Sequence, residues 1–326
     1  MKNIALSISV ILLLTNDLNG QSLKLKELNL GLKEGYNYGF YSINDNHLVY
    51  AESYTNTVYV FDVDKNELIH ELKISKGRGP NELNGIQAAI YIEGRIYLGE
   101  ENEFKILMYN TLEGTYESIV NRYISPSSFM NYKKRLIIEN GIASKSLFID
   151  AGLPINKNPD IKEFDFSPID LLSEFEHFFF KEGTQVVIGD KMIFSAMYKP
   201  DLYVFDIPSS TFVEKISFDV GSVSMPKTVE SGGATFILSP DDPDIKTNGV
   251  GYVDELSEDH IILLSTGKGS ERKYSLNEIL IYDYKREKVV AKYSLGFKAR
   301  NIISGDGKSV LFDPANMKSY LVQIED

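Results

Sequence analysis

The sequence predicts an all-β fold, a six-bladed β-propeller of four-stranded antiparallel blades, and three observations carry that prediction. A four-residue phrase recurs at Tyr59-Val60-Phe61-Asp62, Leu107-Met108-Tyr109-Asn110, Tyr203-Val204-Phe205-Asp206 and Leu280-Ile281-Tyr282-Asp283. Each copy precedes a short polar turn and another apolar stretch, so it reads as the third strand of a small sheet; sheets repeating every roughly 40 to 50 residues are the sequence form of a propeller. Tyr and Phe number 20 and 18 against no Trp, which suits strands packed between neighbouring sheets. The length of 326 residues fits one closed all-β domain with a continuous core.

The elements follow in order. Met1-Lys2-Asn3 is a positive start, Ile4 to Leu14 is apolar to small, and Thr15 to Gly20 is polar with a small residue at its end. That is the pattern of a secretory signal peptide, cleaved near Gly20-Gln21, and the apolar run is short for a membrane-spanning helix. Residues 1–20 are thus the expected signal and 21–326 the single propeller domain. Leu23 to Leu28 alternates as a strand. Blade one uses the region from Tyr36 to Ile43, then His47 to Ala51, Val58 to Asp62 and Leu68 to Ile74, with turns at Asp45-Asn46 and Asp64-Lys65-Asn66. Blade two runs from Ile86 to Val120, and a less regular blade three takes Ser128 to Tyr132, Leu136 to Glu139, Ser146 to Asp150 and Ile161 to Phe166. Blade four spans Gln185 to Phe218 and blade five Gly251 to Leu295. The sixth, from Asn301 to Ile324, is one strand short. The surplus N-terminal strand completes it, so the ring closes without an open edge.

Three stretches break the rhythm. Ser167-Pro168-Ile169-Asp170 supplies a cap, a first-turn proline and an acid ahead of Leu171, Leu172, Phe175, Phe178 and Phe179, which predicts one short inserted helix. The aromatics of Phe178-Phe179-Phe180 are assigned to core burial on its apolar stripe. Val220 to Val250 and Thr266 to Tyr274 are long Gly-, Ser- and Asp-rich connections, of the kind that carry function or move. All three insertions are expected on one face.

Composition narrows the setting. A formal charge of −12 disfavours nucleic acid and anionic membranes as partners, since both need concentrated Lys and Arg. The absence of cysteine removes disulfides, thiolate metal sites and the acylated residue of bacterial lipoproteins. A periplasmic or secreted monomer without a lipid anchor is expected.

At Gly77-Arg78-Gly79-Pro80-Asn81-Glu82, between blades one and two, the sequence resembles the TolB-like six-bladed propellers of Bacteroidota, which carry a Gly-x-Gly-Pro-x-Glu phrase there. Ser304-Gly305-Asp306-Gly307-Lys308 is similar to the hairpin of TolB-type repeats. The resemblance in blade pattern covers roughly residues 22–326, and it implies an exported propeller of unsettled activity. Physically, Gly77 and Gly79 permit backbone angles closed to other residues, and Pro80 fixes an extended approach, turning the chain from rim to centre. Arg78, Asn81 and Glu82 are candidate binding residues, either pairing within the turn or pointing into the central channel.

Other constellations are weaker. Asp241, Asp242 and Asp244, near Asn248, form the densest acidic loop cluster and are candidate binding residues that could hold Ca2+, although the spacing lacks the central glycine and terminal glutamate of a calcium loop. The Gly305-Asp306-Gly307-Lys308-Ser309 run lacks the leading glycine of a phosphate loop and reads as a hairpin. His47, His70, His177 and His260 are read as lying apart, with no pair at ligand spacing. No Gly-x-Ser-x-Gly elbow occurs. The expected function is an exported, non-enzymatic propeller binding an envelope protein, peptide or glycan through its loop-decorated face or channel mouth. The alternative is a metal-assisted lactonase or lyase. Three or more carboxylate or amide side chains converging on the channel mouth would favour that enzyme.

Overall fold

The computed structural model describes residues 11–14, 22–30, 39–100, 104–120, 126–140, 148–150, 162–164, 183–196, 201–217, 228–231, 234–237, 250–257, 260–265, 276–299, 302–305, 307–313 and 315–325. Two strands come first, β1 (Ile11–Leu14) and β2 (Ser22–Leu28). The first four-stranded sheet is β3 (Gly39–Asn44), β4 (His47–Glu52), β5 (Thr57–Asp62) and β6 (Glu67–Lys73); the second is β7 (Ala88–Ile92), β8 (Arg95–Glu100), β9 (Lys105–Asn110) and β10 (Thr115–Val120). The third holds β11 (Pro126–Tyr132), β12 (Arg135–Asn140), β13 (Phe148–Asp150) and the two-residue β14 (Lys162–Glu163). The fourth is β15 (Gly183–Ile188), β16 (Lys191–Ala196), β17 (Asp201–Asp206) and β18 (Thr211–Ser217). A hairpin of β19 (Thr228–Ser231) and β20 (Ala234–Ile237) precedes the fifth, β21 (Val250–Ser257), β22 (His260–Ser265), β23 (Leu276–Asp283) and β24 (Lys288–Ala299). Finally β25 (Ile302–Gly305), β26 (Lys308–Asp313) and β27 (Lys318–Glu325) join β2, and β1 lies outside β2.

All of these pairings are antiparallel and each four-stranded sheet is a meander, the arrangement of propeller blades. The expectation of six four-stranded blades needs a correction: five sheets have that build, and the chain ends meet instead in a five-stranded sheet, β1-β2-β27-β26-β25. The surplus N-terminal strand does pair with the last one, from Ser22 opposite Glu325 to Leu28 opposite Ser319. The extra member arises because the apolar run before it continues the ladder, Ile11 opposite Lys26 through Leu14 opposite Leu23. The long 220–250 connection is not wholly loop, since it contains the β19–β20 hairpin. The expected helix at 167–179, Phe180 and the 266–274 connection lie outside the described residues, and among the described residues there is no helix.

Alternation builds the ring. Within one strand successive side chains face opposite neighbours, so each strand can fill two interfaces. In β4, Val49 and Ala51 join Ile96, Leu98 and Leu107 of the second sheet, while Leu48 and Tyr50 join Val310 and Leu321 of the closing sheet. The same division continues between the second and third sheets, the third and fourth, and the fourth and fifth. Leu23 and Leu25 of β2 pack with Ile262, Leu264 and Ile279 of the fifth sheet, completing the circuit.

The recurring phrase owes its last residue to the turn that follows. Asp62, Asn110, Asp206 and Asp283 accept backbone N–H bonds from Lys65, Leu112, Ser209 and Arg286 at 3.0, 3.0, 2.9 and 2.9 Å. Four residues after each stands one with positive φ: Asn66, Gly114, Ser210 and Glu287 at 56°, 68°, 55° and 50°. The side-chain oxygen holds the turn open, and the left-handed residue returns the chain to the sheet. Asp313, bonded to the N–H of Ala315, and Met317 (φ 55°) repeat the device in the closing sheet.

Candidate functional site

The inner strands β3, β7, β11, β15 and β25 line a central channel of about 770 Å³. One group of polar side chains stands at the end where the inner strands begin: Gln87, Ser127, Ser128, Thr184 and Gln185 sit just before or at the start of β7, β11 and β15, and Glu139 joins them from β12. Gln185 Nε2 donates to Ser128 Oγ at 2.5 Å and to Glu139 Oε2 at 3.3 Å. An ionised carboxylate only accepts, so this pairing fixes which way the amide points. Gln185 Oε1 is then buried with no hydrogen-bond partner among the described residues, and Gln87 Oε1 is in the same condition.

The opposite end is tied across. Asn131 Nδ2 on β11 donates to Asn44 Oδ1 on β3 at 2.9 Å, and Asn44 Nδ2 donates to the Tyr91 carbonyl at 2.9 Å, joining three sheets. Lys133, the basic residue among the described channel-lining residues, donates to Asp190 Oδ1 at 2.5 Å, and Tyr132 donates to the same oxygen at 2.6 Å. Those two bonds, Lys133 first, hold the Asp190 carboxyl below the usual carboxylate range. Lys134 and Glu93 pair at 2.6 Å between neighbouring hairpin tips.

The Gly77–Glu82 turn lies outside the channel lining. Gly77 has φ 153°, and a Cβ there would stand 2.1 Å from Glu82 Oε2. The Glu82 carboxylate occupies that space and accepts the Gly79 N–H at 2.8 Å. Two buried charges from the second sheet support the same loop. Lys105, 3% exposed, donates to the carbonyls of Gly79 and Glu82 at 2.5 and 2.7 Å. Glu100, 2% exposed and directly opposite Lys105 in the ladder, accepts the Asn84 N–H at 3.0 Å. Arg78, Pro80 and Asn81 are exposed and Glu82 half-buried. Asp241, Asp242 and Asp244 lie outside the described residues.

The histidines need a second correction. His47 and His70 share the first sheet, and both rings meet Tyr91, with centroids 4.7 and 5.9 Å away. Burial, then the nearby His47 charge, lowers the His70 pKa. Spacing along the chain concealed the pair because β4 and β6 are joined only through β5. Among the described residues no group of three or more His, Asp or Glu stands close enough to hold a metal ion, and no described helix is long and apolar enough to cross a membrane.

The channel and ring define a β-propeller, and solved structures agree. A Bacteroides fragilis protein designated a candidate exported protein matches with TM-score 0.57 and 14% identity over 93% of this chain and 95% of that one. The WD40 repeats of RRP9 match with TM-score 0.55 and 8% identity over 97% of each chain, and U3-55K with TM-score 0.53 and 8% identity over 96% and 98%. No family model matches the chain. No curated protein matches it either. At these identities the likeness is one of fold.

Proposed function

We propose that this chain is an exported binding propeller that receives a protein, peptide or glycan partner at the polar mouth of its channel. The observation that carries the reading is the channel of about 770 Å³, lined at one end by Gln87, Ser127, Ser128, Thr184, Gln185 and Glu139. A concave site of that size with a few convergent polar groups is the usual form of a binding pocket. Export is supported by the signal-like N-terminus and by the candidate exported neighbour from Bacteroides fragilis. Cleavage near Gly20 would remove β1 and leave β2, with Lys24 and Lys26 along it, as the outer edge; edge lysines discourage sheet-to-sheet aggregation. The TolB-like turn at Gly77–Glu82, with Arg78 and Asn81 exposed beside the ring, remains a second contact surface for the same partner, as does the acidic 241–244 loop. A pull-down from envelope extract with the purified protein tests the reading. Specific capture that falls with Gln185→Met supports it, and equal capture by a scrambled-surface control overturns it.

A metal-assisted lactonase or lyase is the second reading, favoured by one observation: Gln87, Gln185 and Glu139 bring two amides and a carboxylate to one channel. Divalent-metal-dependent turnover of a lactone panel, lost in Glu139→Gln, would support it; no turnover with added Ca2+ or Mg2+ would dismiss it.

A further inference from the structure

We infer that the outer edge of β2 is a second binding site, one that receives an extended segment of alternating apolar and acidic residues as an added strand. The site is separate from the channel mouth, and the inference rests on the reading that residues 1–20 are removed on export. In the structure the slot is filled from within the chain. β1 pairs antiparallel along it, Ile11 opposite Lys26, Leu12 opposite Leu25, Leu13 opposite Lys24 and Leu14 opposite Leu23. β27 takes the other edge of β2, from Ser22 to Leu28. Removing β1 therefore uncovers one row of backbone N–H and C=O groups on a strand already fixed in the ring. Such a row is what an added strand pairs with.

The strand is held ready and its side chains select the occupant. Leu23 and Leu25 are buried against Ile262, Leu264 and Ile279 of the fifth sheet, which anchors β2. Alternation turns Lys24 and Lys26 to the opposite face, where both are half-buried. Glu27, the one acid of β2, is paired with Lys318 Nζ at 2.8 Å. The two lysines thus decide the charge of an incoming strand, because opposite charges across a ladder attract and like charges repel. In the register that β1 defines, residues opposite Lys24 and Lys26 should be acidic, and those opposite Leu23 and Leu25 apolar. A second copy of this chain fits poorly. An antiparallel pair of β2 edges centred on Lys24, on Leu25 or on Lys26 sets lysine against lysine each time.

The probes are dye-labelled extended peptides of valine alternating with glutamate, with lysine or with serine, titrated by fluorescence anisotropy. The full chain with β1 in place is compared with the full chain carrying Leu12→Pro and Leu13→Pro together. Successive N–H groups of a strand point to opposite edges, so one of the two prolines removes a β1–β2 ladder bond. The double variant should bind the glutamate peptide about tenfold or more tightly than the parent does, while keeping a β-type far-ultraviolet spectrum. Adding Lys24→Glu and Lys26→Glu should weaken that peptide about tenfold and favour the lysine peptide instead. The processed chain recovered from the envelope fraction should behave as the proline variant does, and it repeats the comparison without a substitution. Equal binding with and without β1, preference for the serine or lysine peptide before charge reversal, or a dimer of the released chain in sedimentation overturns the inference. Gln185→Met should leave peptide binding unchanged; its loss there would move the site to the channel and overturn the inference as well. Intact mass reads the removal of residues 1–20 independently of peptide binding, so failure of the export reading and failure of the edge site are told apart.

Discussion

Truncating Leu25 in β2 measures how much the N-terminal strand contributes to the ring. Leu25 is 1% exposed, sits opposite Val322 in the β2–β27 ladder, and packs with Ile262, Leu264 and Ile279 of the fifth sheet. Leu25→Ala removes the equivalent of three methyl or methylene groups from that interface. At about 0.8 kcal/mol for each, the transfer part is about 2.4 kcal/mol. The cavity left between two sheets that cannot collapse independently takes the expected loss into the range of about 2–5 kcal/mol. Urea denaturation followed by circular dichroism reads the change as a lower midpoint. Leu112→Ala, at a side chain 90% exposed, serves as the control and should stay within about 0.5 kcal/mol of the parent. If Leu25→Ala melted with the control, β2 would not be a working member of the closing sheet, and the argument that the chain ends lock the ring would fail.

Two further outcomes follow from the structure. Tyr284 links the fourth and fifth sheets, accepting from Lys191 Nζ at 2.7 Å and donating to Glu214 Oε1 at 2.5 Å; burial and then Glu214 push its hydroxyl pKa far up. Tyr284→Phe should cost about 1–3 kcal/mol by leaving both partners under-bonded, and an unchanged urea midpoint would count against the link. His70 has a pKa lowered in the fold by burial and by His47, so the unfolded chain takes up its proton first as pH falls. The stability it confers is complete above the ordinary histidine value of about 6.5 and is lost as pH drops from there through the lowered folded value. Midpoints should therefore fall on acidification below about pH 6.5, less steeply in His70→Phe; parallel pH profiles for the two proteins would refute the assignment.

What the sequence reveals here depends on how local the cause is. The phrase ending in Asp62, Asn110, Asp206 or Asp283 is legible because its last side chain acts on backbone only two or three residues away. The blade-three strands are less so, since β13 and β14 have three and two residues and are held by register, β13 with β12 and β14 with β13, rather than by their own pattern. The fifth strand of the closing sheet was unreadable for another reason: an apolar run of signal type and an apolar edge strand look alike until a partner ladder is present. At the site, Gly77, Gly79, Pro80 and Glu82 announce a special turn, but Lys105 and Glu100, which secure it from beneath, carry no sequence mark beyond being charges at strand ends. Gln87 and Gln185 were missed because a glutamine beside an apolar strand is an ordinary surface residue unless the ring turns it inward. The repeated placement of polar residues at the starts of the inner strands, at Gln87, Ser127, Ser128, Thr184 and Gln185, was the signal available.

The pairing of Leu23 with Ile324 also sets a clock. At a synthesis rate of about 5–20 residues per second, the strand made first waits roughly 15–60 s for the strand that completes its ladder. Sheets one to five can each form from residues near in sequence as they emerge, but the ring has a gap until the final residues are made. Through most of that interval Leu23 and Leu25 have no core to enter, since their partners are in the fifth and closing sheets. The partly made ring is therefore an open arc with an adhesive end, and it closes only when β27 joins β2.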